Sequence, residues 1–116
     1  MERSEVGRVG EALAAHWLEA RGWTIVDRNV RYREGELDIV AARAGILAFV
    51  EVKTRRSARF GIPAEAVTHE KAARIRRLAS RYLAERRPGA AGVRFDVVDI
   101  ARDGAGFRVT HLEGAF

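Results

Sequence analysis

Two apolar segments joined by a short turn constrain the fold of this chain more than any other feature. Residues 37–42 and 46–52 are mostly apolar and strand-like, and residues 44–45 between them favour a tight turn. The pattern therefore predicts a β-hairpin. Glu51 and Lys53 interrupt the second strand at a spacing of two, so their side chains point to the same face.

The loop length of this hairpin decides which side chains share a face. If Ala42 pairs with Leu47, then Asp38 lies directly opposite Glu51, and a loop of two or four residues gives that register. A loop of three would move Asp38 to the other face. We predict the even loop, because it gathers three acids and one lysine in one patch: Glu36, Asp38, Glu51 and Lys53. The opposite face is then wholly apolar: Leu37, Ile39, Val50 and Val52.

This patch has two chemical interpretations. Carboxylates a few ångströms apart repel each other unless a cation lies between them. Hard oxygen ligands suit Mg²⁺ or Mn²⁺, which keep bound waters and bind phosphate oxygens, and a neighbouring lysine can orient an attacking water. The alternative is a set of cross-strand salt bridges on a solvated face. The flanking residues are almost all apolar, so we expect half-buried charges, and buried charge favours a functional role.

The chain has 116 residues, a length that fits one domain with one core. It contains no cysteine, which excludes disulfides and thiolate metal sites. No apolar run approaches the roughly 20 residues of a membrane span, and the N-terminal residues lack the features of a signal peptide. We therefore expect a cytoplasmic protein without a membrane partner.

Basic residues lie on both sides of the predicted hairpin, in a chain of net charge +5. Three arginines precede the acidic patch, and a second basic group recurs at helical spacing along residues 69–86. They are Arg28, Arg31 and Arg33, and Lys71, Arg74, Arg77 and Arg81. A polar connection and a solvated helix face are the simpler interpretations. Together, however, the two groups favour a surface that follows a phosphate backbone.

The remaining elements follow from periodicity and capping signals. Helices are predicted over residues 5–20, with Ser4 as N-cap and Gly22 as the stop, and over 69–86, capped by Thr68. Strands are predicted over 23–26, 93–100 and 107–112, a polar connection with a turn at Asn29 over 28–33, and a helical turn over 63–67. Glu11 flanks the small-residue edge of the first helix and could point toward the hairpin, but from the sequence alone a solvated helix glutamate is the expectation. The sum is an α/β fold with a central mixed sheet of about five strands.

The wider pattern resembles a known family. The motifs are Gly10-Glu11-Ala12, Asn29, Arg31, Gly35-Glu36-Leu37-Asp38, Phe49-Val50-Glu51-Val52-Lys53-Thr54-Arg55, Gly61, Lys71, Arg94-Phe95-Asp96-Val97-Val98 and Gly114-Ala115-Phe116. Together they resemble the bacterial YraN family over nearly the whole chain. That family is similar to the restriction-endonuclease-like nuclease superfamily and to the archaeal Holliday junction resolvases. One departure from the superfamily motif is that Leu37, not proline, precedes Asp38.

The resemblance implies a restriction-endonuclease-like, three-layer nuclease domain over residues 1–116. It implies Mg²⁺ or Mn²⁺ ligand roles for Asp38 and Glu51, a catalytic role for Lys53 and a supporting acidic role for Glu11. Nucleic-acid contacts are expected from four basic residues: Arg31, Arg55, Lys71 and Arg74. The resolvases are dimeric, so the resemblance also allows for a homodimer.

Two classes of function are consistent with these residues. The first is a metal-dependent endonuclease that hydrolyses phosphodiester bonds in DNA, including branched or repair intermediates. The second is a non-catalytic nucleic-acid-binding module, or an assembly partner in DNA repair or uptake. The intact Asp38, Glu51 and Lys53 favour the enzyme, because a binding module has no need to keep repelling acids together.

Overall fold

The structure is a computed structural model that describes residues 5–59, 61 and 67–116, with side chains from residue 7 onward. The predicted Ser4 cap and almost all of the predicted helical turn over 63–67 lie outside the described residues. The described elements are α1 (Glu5–Ala20), β1 (Thr24–Tyr32), β2 (Gly35–Arg43), β3 (Ile46–Arg55), α2 (His69–Arg86), β4 (Gly92–Asp103) and β5 (Gly106–Leu112).

The strands form one mixed sheet in the order β1-β2-β3-β4-β5, in which only the β3–β4 pair is parallel. α1 packs on one face of the sheet and α2 on the other, so each face has its own apolar core. This confirms the predicted α/β class with a mixed sheet of five strands. The three layers, α1, the sheet and α2, are compatible with a nuclease-like fold. No helix in the described part of the chain is long and apolar enough to cross a membrane.

The predicted hairpin register is confirmed. Ala42 pairs with Leu47, and the β2–β3 ladder runs from the pair Arg43–Ile46 to the pair Ile39–Val50. The two residues of the turn, Ala44 and Gly45, have φ angles of 50° and 81°. Positive φ at both central positions is the type I′ geometry, whose twist matches that of the flanking strands.

Local capping explains where both helices end or begin. After α1, the Trp23 amide donates to the Leu18 carbonyl at 3.1 Å, and Gly22 has a φ of 90°, which glycine adopts without a steric penalty. The predicted stop at Gly22 is therefore confirmed. α2 begins after Thr68, whose hydroxyl oxygen accepts a hydrogen bond from the Lys71 amide at 3.2 Å, as predicted.

The structure corrects two predictions around residue 29. Residues 28–32 belong to β1 and are not a connection, and Asn29 is a left-handed residue within the strand, with a φ of 54°. Leu37 packs in the core facing α2, whereas Ile39 packs in the core facing α1. The alternation of faces is therefore interrupted at Asp38, which lies beside Asn29 because Arg28 pairs with Ile39 and Val30 with Leu37.

Gly10 allows α1 to approach β3 closely. A Cβ atom at this buried position would clash with the Cγ2 methyl of Thr54. Because Glu11 is the next residue in the helix, the same close approach helps to bring its carboxylate toward the sheet.

We predict that Gly10→Ala lowers the free energy of unfolding by about 1–3 kcal/mol, the usual cost of overpacking. Without a clash, alanine in a helix would instead stabilise by about 1 kcal/mol. Urea denaturation measures the difference. Thr54→Ser removes the clashing methyl, so Gly10→Ala should become neutral or stabilising in that background. An equal loss in both backgrounds would show that the contact with Thr54 is not the cause.

Candidate active site

The candidate site begins where the β2–β3 ladder stops. The last pair is Ile39–Val50, and Asp38 is the next residue of β2. The Asp38 Oδ2 atom accepts a hydrogen bond from the Val52 amide at 2.9 Å. A carboxylate thus takes the donor that a continuing ladder would pair with a backbone carbonyl. We call this opening between β2 and β3 the strand fork.

The strand fork changes the predicted pairing of the charged residues. Because the ladder ends at Ile39, Asp38 does not pair directly with Glu51, and Glu36 does not pair with Lys53. Glu36 instead pairs with Arg31 in the β1–β2 ladder, and its Oε2 atom accepts a hydrogen bond from the Arg31 Nε atom at 3.3 Å.

Three carboxylates from two elements meet at the strand fork. One oxygen each from Glu11, Glu36 and Asp38 lies within 4.8 Å of the other two. We call these three residues the acid cluster. Glu11 is only 6% exposed, so the expectation of a solvated helix glutamate is wrong. The prediction failed because periodicity describes the faces of α1 but not how closely one of them approaches the sheet.

Glu51 lies near the acid cluster but has a partner of its own. Glu51 is buried, and its Oε1 atom lies 2.7 Å from the Nζ atom of Lys71 on α2. No pattern in the sequence indicates this ion pair, because the two residues belong to elements that meet only through packing.

Burial is the main reason why the pKa of Asp38 is raised to about 7, from an ordinary value of 3.8. The negative charge of Glu51 raises this pKa further, while the hydrogen bond from the Val52 amide opposes the shift. The acids of this site therefore carry more negative charge than the surrounding donors can stabilise, and the raised pKa of Asp38 favours a proton on its carboxylate near neutral pH.

A cleft of about 570 Å³ opens over the acids, and its walls are basic. Asp38, Glu36 and Glu51 line it, together with four basic side chains: Arg31, Arg33, Lys71 and Arg74. Three of the four predicted nucleic-acid contacts therefore lie around one opening. We call this feature the cleft.

Arg55, the fourth predicted nucleic-acid contact, does not line the cleft. Its Nε and Nη2 atoms donate to the two carboxylate oxygens of Asp99, each at 2.8 Å, and its Nη1 atom donates to the Gly61 carbonyl at 2.6 Å. Lys53 lies opposite Asp99 in the β3–β4 ladder and does not line the cleft. The structure thus groups Asp38 with Glu11 and Glu36, and it pairs Glu51 with Lys71. Glu11, Lys53 and Arg55 do not line the cleft.

Another buried acid, Asp96, does not line the cleft. Asp96 is fully buried and accepts hydrogen bonds from the Arg94 guanidinium at 2.8 and 2.9 Å and from the Gly114 amide at 3.0 Å. The Nε2 atom of His111 lies 2.7 Å from its Oδ2 atom. Burial pushes the pKa of Asp96 upward, but the hydrogen bonds from His111, Arg94 and Gly114 prevail and lower it to about 2. Asp96 therefore links β4 to His111 of β5 and to Gly114, which follows β5.

The acid cluster fits a hard divalent cation. Two oxygens that each lie about 2 Å from one Mg²⁺ ion are about 3–4 Å apart. A separation of at most 4.8 Å can therefore close with small side-chain rotations. The raised pKa of Asp38 points the same way, because a cation would replace the proton that burial now favours.

We predict that Asp38→Asn stabilises the metal-free protein at neutral pH, by about 2–4 kcal/mol for a shift from 3.8 to about 7. The folded state holds a proton on Asp38 that the unfolded state has lost, so wild-type stability falls as the pH rises from about 4 to about 7. Asparagine cannot ionise and keeps an oxygen for the Val52 amide. Its advantage should therefore grow over that pH range in denaturation measured with chelator present.

Asp96→Asn is the matched control with the opposite sign. The pKa of Asp96 is lowered, so its stabilising contribution is present above about pH 4 and is lost as the pH falls through about 2. This variant should be destabilised at neutral pH. A pH-independent effect of Asp38→Asn would contradict the proposed charge imbalance in the strand fork.

Comparison with known proteins identifies the family of this chain. Residues 10–100 match the model of the uncharacterised protein family UPF0102. A UPF0102 protein of Frankia alni is 54% identical over 115 residues, which cover 98% of this chain and 96% of that relative. A UPF0102 protein of Beutenbergia cavernae is 53% identical over 113 residues, with coverages of 97% and 96%. One of Symbiobacterium thermophilum is 53% identical over 95 residues, with coverages of 82% and 80%. The chain therefore belongs to the uncharacterised protein family UPF0102, the YraN family whose motifs its sequence carries.

Proposed function

We propose that this protein is a Mg²⁺- or Mn²⁺-dependent endonuclease that hydrolyses phosphodiester bonds in DNA, with branched or repair intermediates as its substrates. One observation carries the proposal. Acids from β2 and β3 line a cleft whose other lining residues include Arg31, Arg33, Lys71 and Arg74, and two of these acids form the acid cluster with the buried Glu11 of α1. Basic walls hold phosphates, and acids beneath them hold the ion that phosphate chemistry requires.

Each residue of the site then has a defined task. Asp38, Glu11 and Glu36 hold the ion, and Glu51 completes the ligand set from the neighbouring strand. The bound ion supplies a Lewis acid for the scissile phosphate and lowers the pKa of a coordinated water. Arg31 and Arg74 hold the flanking phosphates and fix the register of the DNA strand. Lys53, on β3 two residues after Glu51, is assigned the catalytic lysine role that the family motif implies.

A nucleic-acid-binding module that does not cut is the second candidate, and the ion pair between Lys71 and Glu51 favours it. The ammonium group already neutralises one of the acids without any metal, at a distance of 2.7 Å. In this case the acids would shape the cleft and discriminate among nucleic-acid structures, and the protein would act in DNA repair or uptake as an assembly partner.

Two substitutions separate these candidates. Asp38→Asn and Lys53→Ala should each lower DNA cleavage by at least about 100-fold, because one removes a metal ligand and the other removes the catalytic lysine that the family motif implies. Both should leave DNA binding nearly unchanged in the absence of metal. The assay pairs Mn²⁺-dependent cleavage of single-stranded, duplex, flap and four-way DNA with equilibrium binding. Glu34→Gln at the rim of the cleft is the matched control and should keep both activities.

The outcomes are distinct. Wild-type protein that binds these DNAs but cuts none of them, with both variants behaving identically, would favour the binding module. Cleavage that survives in both variants would show that the nuclease activity resides elsewhere or in a contaminant.

The basic walls of the cleft generate a further prediction, on salt dependence. Counterion release makes the affinity for DNA fall steeply as the salt concentration rises. Arg74→Ala should weaken binding and reduce the slope of log affinity against log salt by about 1. Arg21→Ala is the matched control, because Arg21 lies over the ring of Trp17 at the end of α1, in the other helical layer. Equal effects of the two substitutions, or affinity that does not change with salt, would contradict the assignment of the cleft.

A further inference from the structure

Lys71 is placed to do more than contact nucleic acid. Its Nζ atom lies 2.7 Å from the Oε1 atom of Glu51, whose side chain is 8% exposed, while the Lys71 side chain itself is 34% exposed and lines the cleft. The Lys71 backbone is fixed by the Thr68 cap at the start of α2. The long side chain can therefore change direction while its point of attachment stays in place.

A divalent cation and the Lys71 ammonium cannot both hold Glu51 in the same way. The two positive charges would repel each other strongly at the few ångströms that a shared carboxylate imposes, and partial burial weakens solvent screening. Glu51 must therefore either stay with Lys71 and leave the ion to the acid cluster, or release Lys71 and become a ligand. A lysine has three donors on a flexible stem, and the cleft beside it is where a phosphate would lie.

We propose that Lys71 is a resident counter-ion of Glu51, which the site exchanges for the divalent cation when DNA enters. The freed ammonium moves from Glu51 to a phosphate oxygen of the DNA in the cleft. Glu51 then completes the ligand set only in the presence of substrate. This inference rests on the proposed function and adds its regulation: metal and DNA bind with positive coupling, and by linkage each raises the affinity for the other by the same factor.

The proposal makes Lys71 unlike the other basic residues of the cleft. Removing a competitor for Glu51 should strengthen metal binding in the absence of DNA. Strengthening the competitor should weaken it, because an arginine can hold a carboxylate through two parallel hydrogen bonds. A purely structural ion pair predicts neither effect. It predicts only a loss of stability when the lysine is removed, since Glu51 would remain buried without a partner.

The test is Mn²⁺ binding to the full chain, measured by calorimetry and by electron paramagnetic resonance, with and without a duplex oligonucleotide whose phosphorothioate linkages resist hydrolysis. Without DNA, Lys71→Met should bind Mn²⁺ about tenfold more tightly than wild type, and Lys71→Arg should bind it more weakly. DNA should raise the Mn²⁺ affinity of wild type, and this increase should nearly vanish in Lys71→Met.

Arg74→Met is the matched control. Arg74 lies one turn further along α2 and lines the same cleft, so its loss changes the charge of the cleft equally. This variant should bind DNA more weakly than wild type, but at DNA concentrations that saturate it the coupling between DNA and Mn²⁺ should be kept. Thermal melts establish that each variant is folded, and Lys71→Arg supplies the comparison if Lys71→Met is not.

The counter-ion role of Lys71 and the metal-dependent function are contradicted by different results. If wild type and Arg74→Met bind Mn²⁺ but neither substitution of Lys71 changes that affinity, the counter-ion role is wrong and the metal site stands. If none of the proteins binds Mn²⁺, with or without DNA, the proposed metal-dependent function is itself wrong, and the counter-ion role with it.

Discussion

The register between β2 and β3 is the constraint on which the rest of the structure depends. The type I′ turn at Ala44 and Gly45 fixes this register, and β3 lies at the centre of the sheet, antiparallel to β2 on one side and parallel to β4 on the other. Because both helices pack on this central hairpin, its register determines which side chains they meet. A shift of one residue would exchange the two faces and bury Glu51 in the wrong core.

The end of that ladder is as important as its register. Beyond the Ile39–Val50 pair the strands separate, and Asp38 satisfies the Val52 amide with a carboxylate in place of a carbonyl. The interruption coincides with the left-handed Asn29 in the neighbouring strand, whose side-chain oxygen is buried and makes no hydrogen bond with the described residues. An irregular backbone at this point costs stability, but it places a charged side chain between two helical layers, where Glu11 and Lys71 can both approach it.

Asp38 and Asp96 are two acids in opposite electrostatic environments. Asp96 receives donors from Arg94, His111 and Gly114, so its charge is fully compensated and its pKa falls to about 2. Asp38 receives one backbone donor and faces other carboxylates, so its pKa rises to about 7. An acid whose charge is fully compensated by hydrogen-bond donors is typical of a structural ion pair. An acid whose charge is not compensated is typical of a site that binds a cation or transfers a proton. The contrast within one chain supports a functional role for the strand fork more strongly than the acidic residues alone.

Local patterns in the sequence determined both helices, most of the strands and the hairpin register of this protein, but not the extension of β1 through residues 28–32. The turn residues, the caps of α2 and the periodicity of both helices act over a few residues, so Ala42 and Leu47 could be paired, and Thr68 and Gly22 assigned, before the fold was known. The tertiary structure alone decided which charges meet. The burial of Glu11 depends on the close packing of α1 at Gly10, and the pairing of Lys71 with Glu51 and of Arg55 with Asp99 depends on distances between elements that are remote in the chain. The sequence pattern indicates which face of a helix or strand a side chain occupies, but not the distances between elements. Electrostatic interactions depend on those distances.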